Sequence, residues 1–470
     1  MTIMVESRSL PNGFFNSERW QTRIEELAGR HQVPGVQIGV LQLTDQGSAE
    51  IRTMCSGVTS VKTGVELTAD TLHQYGSITK VWTATLIMQL VDEGLLALNT
   101  RVDEVLPDFT LADSTAAQAI TIEMLLSHTS GIDGDILTDT GDGDDCVEQY
   151  VNRLGTADIT SRVGGPLSYS NSGYVLLGRI VEVLRGKVWD EAIADHILVP
   201  LGLEGVITKT KDAPLHRVAV GHLQTPDHSR TEKYFPTPVW ALPRSLGPAG
   251  AVTGTADNLL RFAAAHLRDG LALTGERLLS EESARLMRSQ KVDLRGINSV
   301  TVGWATGWML EKWGPTIAVG HNGDTFGQSA YLDTFPEHGL ALVVLGNSPG
   351  LAALERELMV DVASELGLVG PSENPIDSSI PIDLGRVVGD YESGTQRFEV
   401  RADDANALTI SVVAKVSLGG IESPRQSAPL VPNGPARFLS KIIGRVLEFA
   451  LVDDGGIQYL YVGRLYKKIS

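Results

Sequence analysis

One stretch, Gly367 to Gly385, divides the chain into two parts with different folding options. It carries Pro371, Pro375 and Pro381, several serines and little periodicity. Proline fixes φ and removes a backbone donor, so neither helix nor sheet runs easily through such a segment. Before it, helical and strand patterns alternate. After it, only strand patterns remain. The expected organisation is a first domain over residues 1–368, a linker over 369–384 and an all-β domain over 385–470.

In the first part, Ser17 to Gln32 reads as an amphipathic helix, with Trp20, Ile24 and Leu27 on one face. Val36–Leu43 and Ile51–Val58 read as a strand hairpin. Ser77 to Glu93 reads as a long helix with an apolar stripe of Trp82, Leu86, Ile87, Leu90 and Val91, stopped by Gly94. Further helices are expected over Glu123–His128, Gly173–Leu184, Ala256–His266 and Ala352–Leu366. Strands are expected over Val302–Met309, Thr316–Gly320, Gln328–Thr334 and Gly339–Leu345, the last two joined by a turn at Phe335–His338. The fold class is therefore α+β, with one antiparallel sheet built from both ends of the domain. In the second part, Arg397–Arg401, Ala407–Val412, Val446–Leu451 and Gln458–Arg464 read as strands of a small barrel or sandwich.

Composition limits the partners. The 470 residues are 42% hydrophobic and 20% charged, an ordinary globular balance. The net charge is -18 and no dense Lys/Arg run occurs, which argues against nucleic acid and anionic membrane surfaces. No apolar run approaches the roughly 20 residues of a membrane helix. Met1 to Leu10 lacks a basic segment followed by an apolar one, so a cytoplasmic protein is expected. Two cysteines, Cys55 and Cys146, exclude a disulfide framework or a Cys-rich zinc site and leave one bridge between them open.

Three short motifs bear reactive groups. Ser77-Ile78-Thr79-Lys80 is the sole Ser-x-x-Lys in the chain. Residues three apart share a helix face, so hydroxyl and amine can meet, and the N–H groups of a helix start favour an oxyanion. Roughly one such match arises by chance in a chain like this, and a helix cap with an exposed lysine is the bland alternative. Tyr169-Ser170-Asn171 lies on a loop after Gly164-Gly165-Pro166. A tyrosine near two cations can have its pKa lowered enough to act as a base, and the Asn171 amide can donate to a substrate carbonyl. A turn with a packed tyrosine is the alternative. His321-Asn322-Gly323 follows the Thr316–Gly320 strand. Gly323 allows close approach of a substrate to the backbone, the N–H of Asp324 offers an oxyanion donor, and His321 offers a proton or positive charge. An ordinary strand-end turn is the alternative.

Taken in this order, the three motifs resemble those of the penicillin-recognising serine hydrolases, in the class C β-lactamase, D-aminopeptidase and esterase branch. Leu125-Leu126-Ser127-His128-Thr129-Ser130-Gly131, Tyr169–Gly173 and Gly250–Asp257 are similar to stretches common in that branch. The likeness spans roughly residues 18 to 366, and the tail is similar to the lipocalin-like domain some members append. The resemblance implies a β-lactamase/transpeptidase-like fold, an antiparallel sheet flanked by helices plus an all-helical region, followed by a small all-β barrel. It implies acylation of Ser77, with Lys80 and Tyr169 sharing the proton work and His321 assisting. The N–H groups of Ser77 and Asp324 would form the oxyanion hole. Asn171, Asn322, Gly323 and Asp324 would contact a small-molecule or peptide ester or amide.

Two departures bear on the reaction. His321 stands where the relatives have a lysine, so a fixed cation for a β-lactam carboxylate is not assured, and no export signal is read. Both favour an esterase, amidase, D-aminopeptidase or acyltransferase over a β-lactamase. Thioesterases of the penicillin-binding-protein type, which cyclise peptides, share the motifs and the appended domain. A binding module without chemistry is the third reading. No Gly-x-Ser-x-Gly, His-Glu-x-x-His, P-loop or dinucleotide motif occurs, so no cofactor or metal is implied. The aspartate-rich Asp133–Asp145 loop reads as a solvated acidic segment, or as a lip attracting cationic substrates. A homo-oligomer is left open.

Overall fold

The computed structural model describes residues 10–11, 14–44, 47–224, 234–370, 383–415, 425–434, 436–442 and 445–470. Most of the N-terminal decapeptide and of the linker read from the sequence lies outside these residues.

An eight-stranded antiparallel sheet forms the first layer. Its strands are β1 (Gly35–Leu43), β2 (Ala49–Gly57), β3 (Val292–Asp293), β4 (Thr301–Trp304), β5 (Met309–Trp313), β6 (Thr316–Asp324), β7 (Ser329–Phe335) and β8 (Leu340–Gly346). The order is β2-β1-β8-β7-β6-β5-β4-β3, so strands from both ends of the domain meet, with Val40 opposite Leu342. One face packs on α1 (Glu18–His31) and α6 (Leu351–Leu366) through Trp20, Ile24, Leu342, Leu354 and Leu358. Arg23 of α1 ties the two helices, with Nε 2.7 Å from Asp361. The other face packs on a helical region containing α2 (Thr79–Asp92), α3 (Ile122–Leu126), α4 (Asn171–Arg185) and α5 (Ala256–Leu267).

The α2 helix is buried on every side from Thr79 to Leu90, not along one stripe. Such a helix belongs to a core. Its hydroxyls are consumed inside: Thr83 donates to the Pro248 carbonyl at 2.7 Å and Thr85 to Val81 at 2.8 Å.

The tail is a nine-stranded sheet of order β12-β11-β10-β9-β17-β16-β15-β14-β13. The strands are β9 (Gly389–Glu392), β10 (Gln396–Ala402), β11 (Leu408–Ala414), β12 (Gln426–Pro429), β13 (Val431–Pro432), β14 (Arg437–Ile442), β15 (Arg445–Asp454), β16 (Ile457–Tyr461) and β17 (Leu465–Lys468). It curls into a nearly closed barrel in which β12 approaches β14, around Tyr391, Phe398, Ile410, Phe438 and Phe449.

Four expected elements are placed differently. Val302–Met309 is not one strand: β4 ends at Trp304, a turn with Gly307 at φ +81° follows, and β5 begins at Met309. Glu123–His128 ends as a helix at Leu126, and His128 adopts φ +58°. Gln458–Arg464 stops as a strand at Tyr461, because Gly463 at φ +73° turns the chain. Asp133 and Asp135 of the acidic loop turn inward, and only the far end is solvated, where Asp144 meets Arg244 at 2.7 Å. Cys55 and Cys146 are both free thiols.

Candidate active site

Ser77 lies in a 3₁₀ turn, Gly76–Ile78, that leads into α2. The turn is pressed against β6 by two glycines. A Cβ on Gly323 would stand 2.0 Å from the Tyr75 carbonyl oxygen and 2.7 Å from the Ser77 nitrogen. A Cβ on Gly76, where φ is +53°, would stand 2.8 Å from the Asp324 nitrogen. The close approach that Gly323 permits is therefore to the Ser77 backbone itself, not to a substrate as the motif suggested. It brings the backbone around Ser77 against that of Asp324.

Lys80 follows one turn later with its side chain wholly buried. Its Nζ lies 2.9 Å from Ser77 Oγ and donates to the Ala249 carbonyl at 2.7 Å. The Pro248–Val252 segment is held along α2 by the Thr83 bond and by Val252 N–H donating to Thr79 Oγ1 at 3.0 Å. Burial drives the Lys80 amine well below its ordinary 10.5, Arg464 adds to the fall, and Asp135 opposes it. An amine held toward its neutral form beside a hydroxyl can take that hydroxyl's proton.

Tyr169 ends the loop before α4. Lys80 Nζ sits 4.9 Å and the Arg464 guanidinium 5.1 Å from its ring centre. The Arg464 cation and the Lys80 amine thus flank the ring, yet the phenol is pushed up rather than down. Burial dominates, with the Ser77 hydroxyl and Arg464 opposing it. Tyr169 is therefore held as a phenol, not as a standing phenolate.

His321 is buried on β6, and its Nδ1 lies 2.5 Å from the Asn322 carbonyl oxygen. Burial and the nearby Lys80 push it from 6.5 to about 3, against the pull of that carbonyl. It is a neutral ring, so the positive charge expected of it is not available. With Nδ1 donating, Nε2 is an acceptor, and it has no partner among the described residues. Asn322 alternates to the opposite side of β6 and is exposed. Its carbonyl orients His321, but its side chain is not brought to the cluster. The Asp324 carboxylate, exposed like Asn322, accepts from the Ser329 hydroxyl at 2.5 Å.

Asn171 is the first residue of α4, and its Nδ2 donates to Asp135 Oδ1 at 3.0 Å. That leaves one amide hydrogen and the carbonyl for a ligand. Asp135 also holds Arg464, whose two nitrogens lie 2.7 and 2.8 Å from its carboxylate.

Arg464 comes from the barrel. The β16–β17 connection lies against the Tyr169 loop: Tyr169 N–H donates to the Gly463 carbonyl at 3.0 Å, and Leu465 N–H to Ser168 Oγ at 3.2 Å. Beneath it, Leu167, Trp304, Tyr459, Tyr461 and Leu465 form an apolar cluster that Tyr169 joins. The barrel thus supplies one wall of the site. Sequence reasoning missed Arg464, because nothing local marks one arginine among tail strands. It met Asp135 only as one member of an acidic run.

A fold with a central buried helix opening on Ser-x-x-Lys, and a β-strand bearing His-x-Gly beside it, defines a class of serine hydrolases. The beta-lactamase family pattern matches residues 20–364, and the chain belongs to that family. Penicillin-binding protein 4 of Amycolatopsis lactamdurans is 41% identical over 382 residues, covering 80% of this chain and 98% of that protein. The SurE structure superposes with a TM-score of 0.74 at 26% identity, over 96% of this chain and 99% of that one. SurE has also been solved with D-Leu. D-amino acid amidase from Ochrobactrum anthropi SV3 shares the fold of the first domain, with a TM-score of 0.61 at 23% identity over 74% of this chain and 97% of that one.

Proposed function

We propose that this chain is a serine hydrolase that opens an ester or amide bond through a covalent acyl-Ser77 intermediate. One observation carries the reading: a buried lysine held toward its neutral form, 2.9 Å from the Ser77 hydroxyl. In acylation, Lys80 takes the Ser77 proton as Oγ bonds to the carbonyl carbon. The new oxyanion is held by the N–H groups of Ser77 and Asp324, a pairing supported by the packing of Gly76 and Gly323 between them. Tyr169 passes its proton to the leaving oxygen or nitrogen and is reprotonated from Lys80, so the pair acts as one coupled unit. Water then adds to the acyl carbon, returns a proton through the same pair and frees Ser77. Asn171, tethered by Asp135, uses its remaining amide groups on the acyl chain.

Substrate class is drawn from the relatives. One is named a D-amino acid amidase and another has been solved with D-Leu, so a D-aminoacyl amide or ester is the first class to test. A second reading passes the acyl group to an amine instead of water. His321, pushed down to about 3, is too weak a base to take the proton an attacking amine must lose, so that proton would go to the Lys80–Tyr169 pair.

Intact-mass analysis after brief exposure to short-chain p-nitrophenyl esters tests both. Wild type and Ser77→Ala are compared, with and without added D-leucine. An acyl adduct in wild type alone is the expected result. An N-acyl-leucine product marks transfer, and free acid marks hydrolysis. An equal adduct on Ser77→Ala, or no adduct and no p-nitrophenol release, overturns the reading.

A further inference from the structure

The Leu125–Gly131 segment contains a residue that the proposed chemistry does not use and that the site is built upon. His128 is fully buried, yet its backbone sits at φ +58°, a conformation that a side chain with a Cβ adopts only when its surroundings insist. Those surroundings are the residues flanking Tyr169. Ser168 N–H donates to the His128 carbonyl at 2.9 Å, and Ser170 N–H donates to His128 Nδ1 at 3.0 Å. The imidazole lies on the Tyr169 ring, 4.3 Å between centres and 35° between planes.

We propose that His128 is a positioning residue: a three-point clamp that fixes the Tyr169 phenol between Lys80 and the leaving group. The carbonyl and Nδ1 of one residue hold the N–H groups on either side of Tyr169, and the ring sets the tilt of the phenol. The N–H of Tyr169 itself is taken by Gly463 of the barrel, so the loop is pinned from both domains. Because Nδ1 accepts, the proton resides on Nε2, which has no hydrogen-bond partner among the described residues; the imidazole centre lies 5.1 Å from that of Tyr174, tilted, and 4.9 Å from that of Trp304, edge to face. Burial, with Lys80, His321 and Arg464 close by to disfavour a further positive charge, keeps the ring neutral and the acceptor available. A cationic ring would place an N–H against the Ser170 N–H.

This inference rests on the acyl-Ser77 reading, and the mass experiment judges that reading separately. The test here uses the full chain and an ester that acylates wild type. His128→Phe keeps a ring on Tyr169 but loses the acceptor. His128→Asn keeps an acceptor and tolerates the left-handed backbone. In His128→Phe, kcat is expected to fall about 10²-fold, as for a misplaced proton donor, with KM near wild type and a lowered Tm, because the buried Ser170 N–H loses its acceptor. His128→Asn is expected to recover most of that loss. In a Tyr169→Phe background either change is expected to cost under about twofold, because the clamp acts through the hydroxyl that is gone. Three results would overturn the proposal: His128→Phe within about twofold of wild type, equal losses in Phe and Asn, or a full loss that persists in the Tyr169→Phe background. If His128→Phe does not fold, the Asn variant in the two Tyr169 backgrounds decides the matter by the same additivity.

Discussion

Two clusters of buried ionisable groups lie on opposite faces of one sheet, and they resolve the same problem differently. On the helical face, Lys80, Tyr169, His321, Asp135 and Arg464 mix signs. Asp135 neutralises Arg464, and Lys80 and His321 are pushed toward their neutral forms. On the α1/α6 face, Glu311, Asp333 and Glu355 are all acids. Asp333 sits beside β6 at Gly320, where a Cβ would stand 2.5 Å from its carboxylate. His321, the next residue, faces the other way. Desolvation penalises charge in both places. The mixed cluster keeps one opposite-charge pair and an amine pushed toward its neutral form, a state suited to proton transfer. The acid cluster can only take up protons, and burial pushes all three carboxyls up. Burial alone therefore does not make a site; the sign of the neighbours and a reachable nucleophile do.

The contrast is sharpest at Lys80. Lys80→Met removes the base but keeps the volume, and Ser77 acylation is expected to fall about 10³- to 10⁴-fold in single-turnover kinetics. Tyr169→Phe is expected to cost about 10²-fold in kcat with KM little changed. Asp135→Ala would strip Arg464 of its carboxylate and Asn171 of its tether. Loss of a pair this little exposed is expected to destabilise the fold by on the order of 2 kcal/mol, read by urea unfolding, and to raise KM.

The acid cluster responds in the opposite sense. Glu355 is pushed up from 4.5 to about 8 by burial and the neighbouring Glu311. The folded protein holds a proton that the unfolded chain releases, so this contribution is complete below about pH 4.5 and fades as pH rises through about 8. Glu355→Gln is expected to raise Tm by roughly 2 °C at pH 8 and to leave it unchanged at pH 4. A drop in Tm at pH 8 would mean that the carboxylate is paired and that the two faces do not differ as described.

How much of this was legible in the sequence depends on distance along the chain. Ser77 and Lys80 share one turn, so their encounter follows from helical spacing. Tyr169 and His321 each sit in a short motif whose order resembles the family's, and the structure brings both to that turn. The α+β class and the all-β tail followed from periodicity on either side of the linker, which left barrel and sandwich open; the barrel was implied by the family resemblance. What was not legible is set by tertiary surroundings. The side of Gly323 that is crowded depends on Tyr75 and Ser77, and the charge state of His321 on its burial. Arg464 reaches Asp135 across 329 residues, and no local pattern marks such a pair. Gly463 reverses a stretch that alternates well enough to read as one strand.

The central claim is that Lys80 is held neutral so that it can deprotonate Ser77. The pH dependence of the single-turnover acylation rate, measured with a p-nitrophenyl ester in wild type, tests it most directly. The account predicts full acylation at neutral pH, with an acid limb well below the ordinary lysine value of 10.5. A rate that keeps rising until pH near 10.5 would show a charged Lys80 at neutral pH and contradict the account.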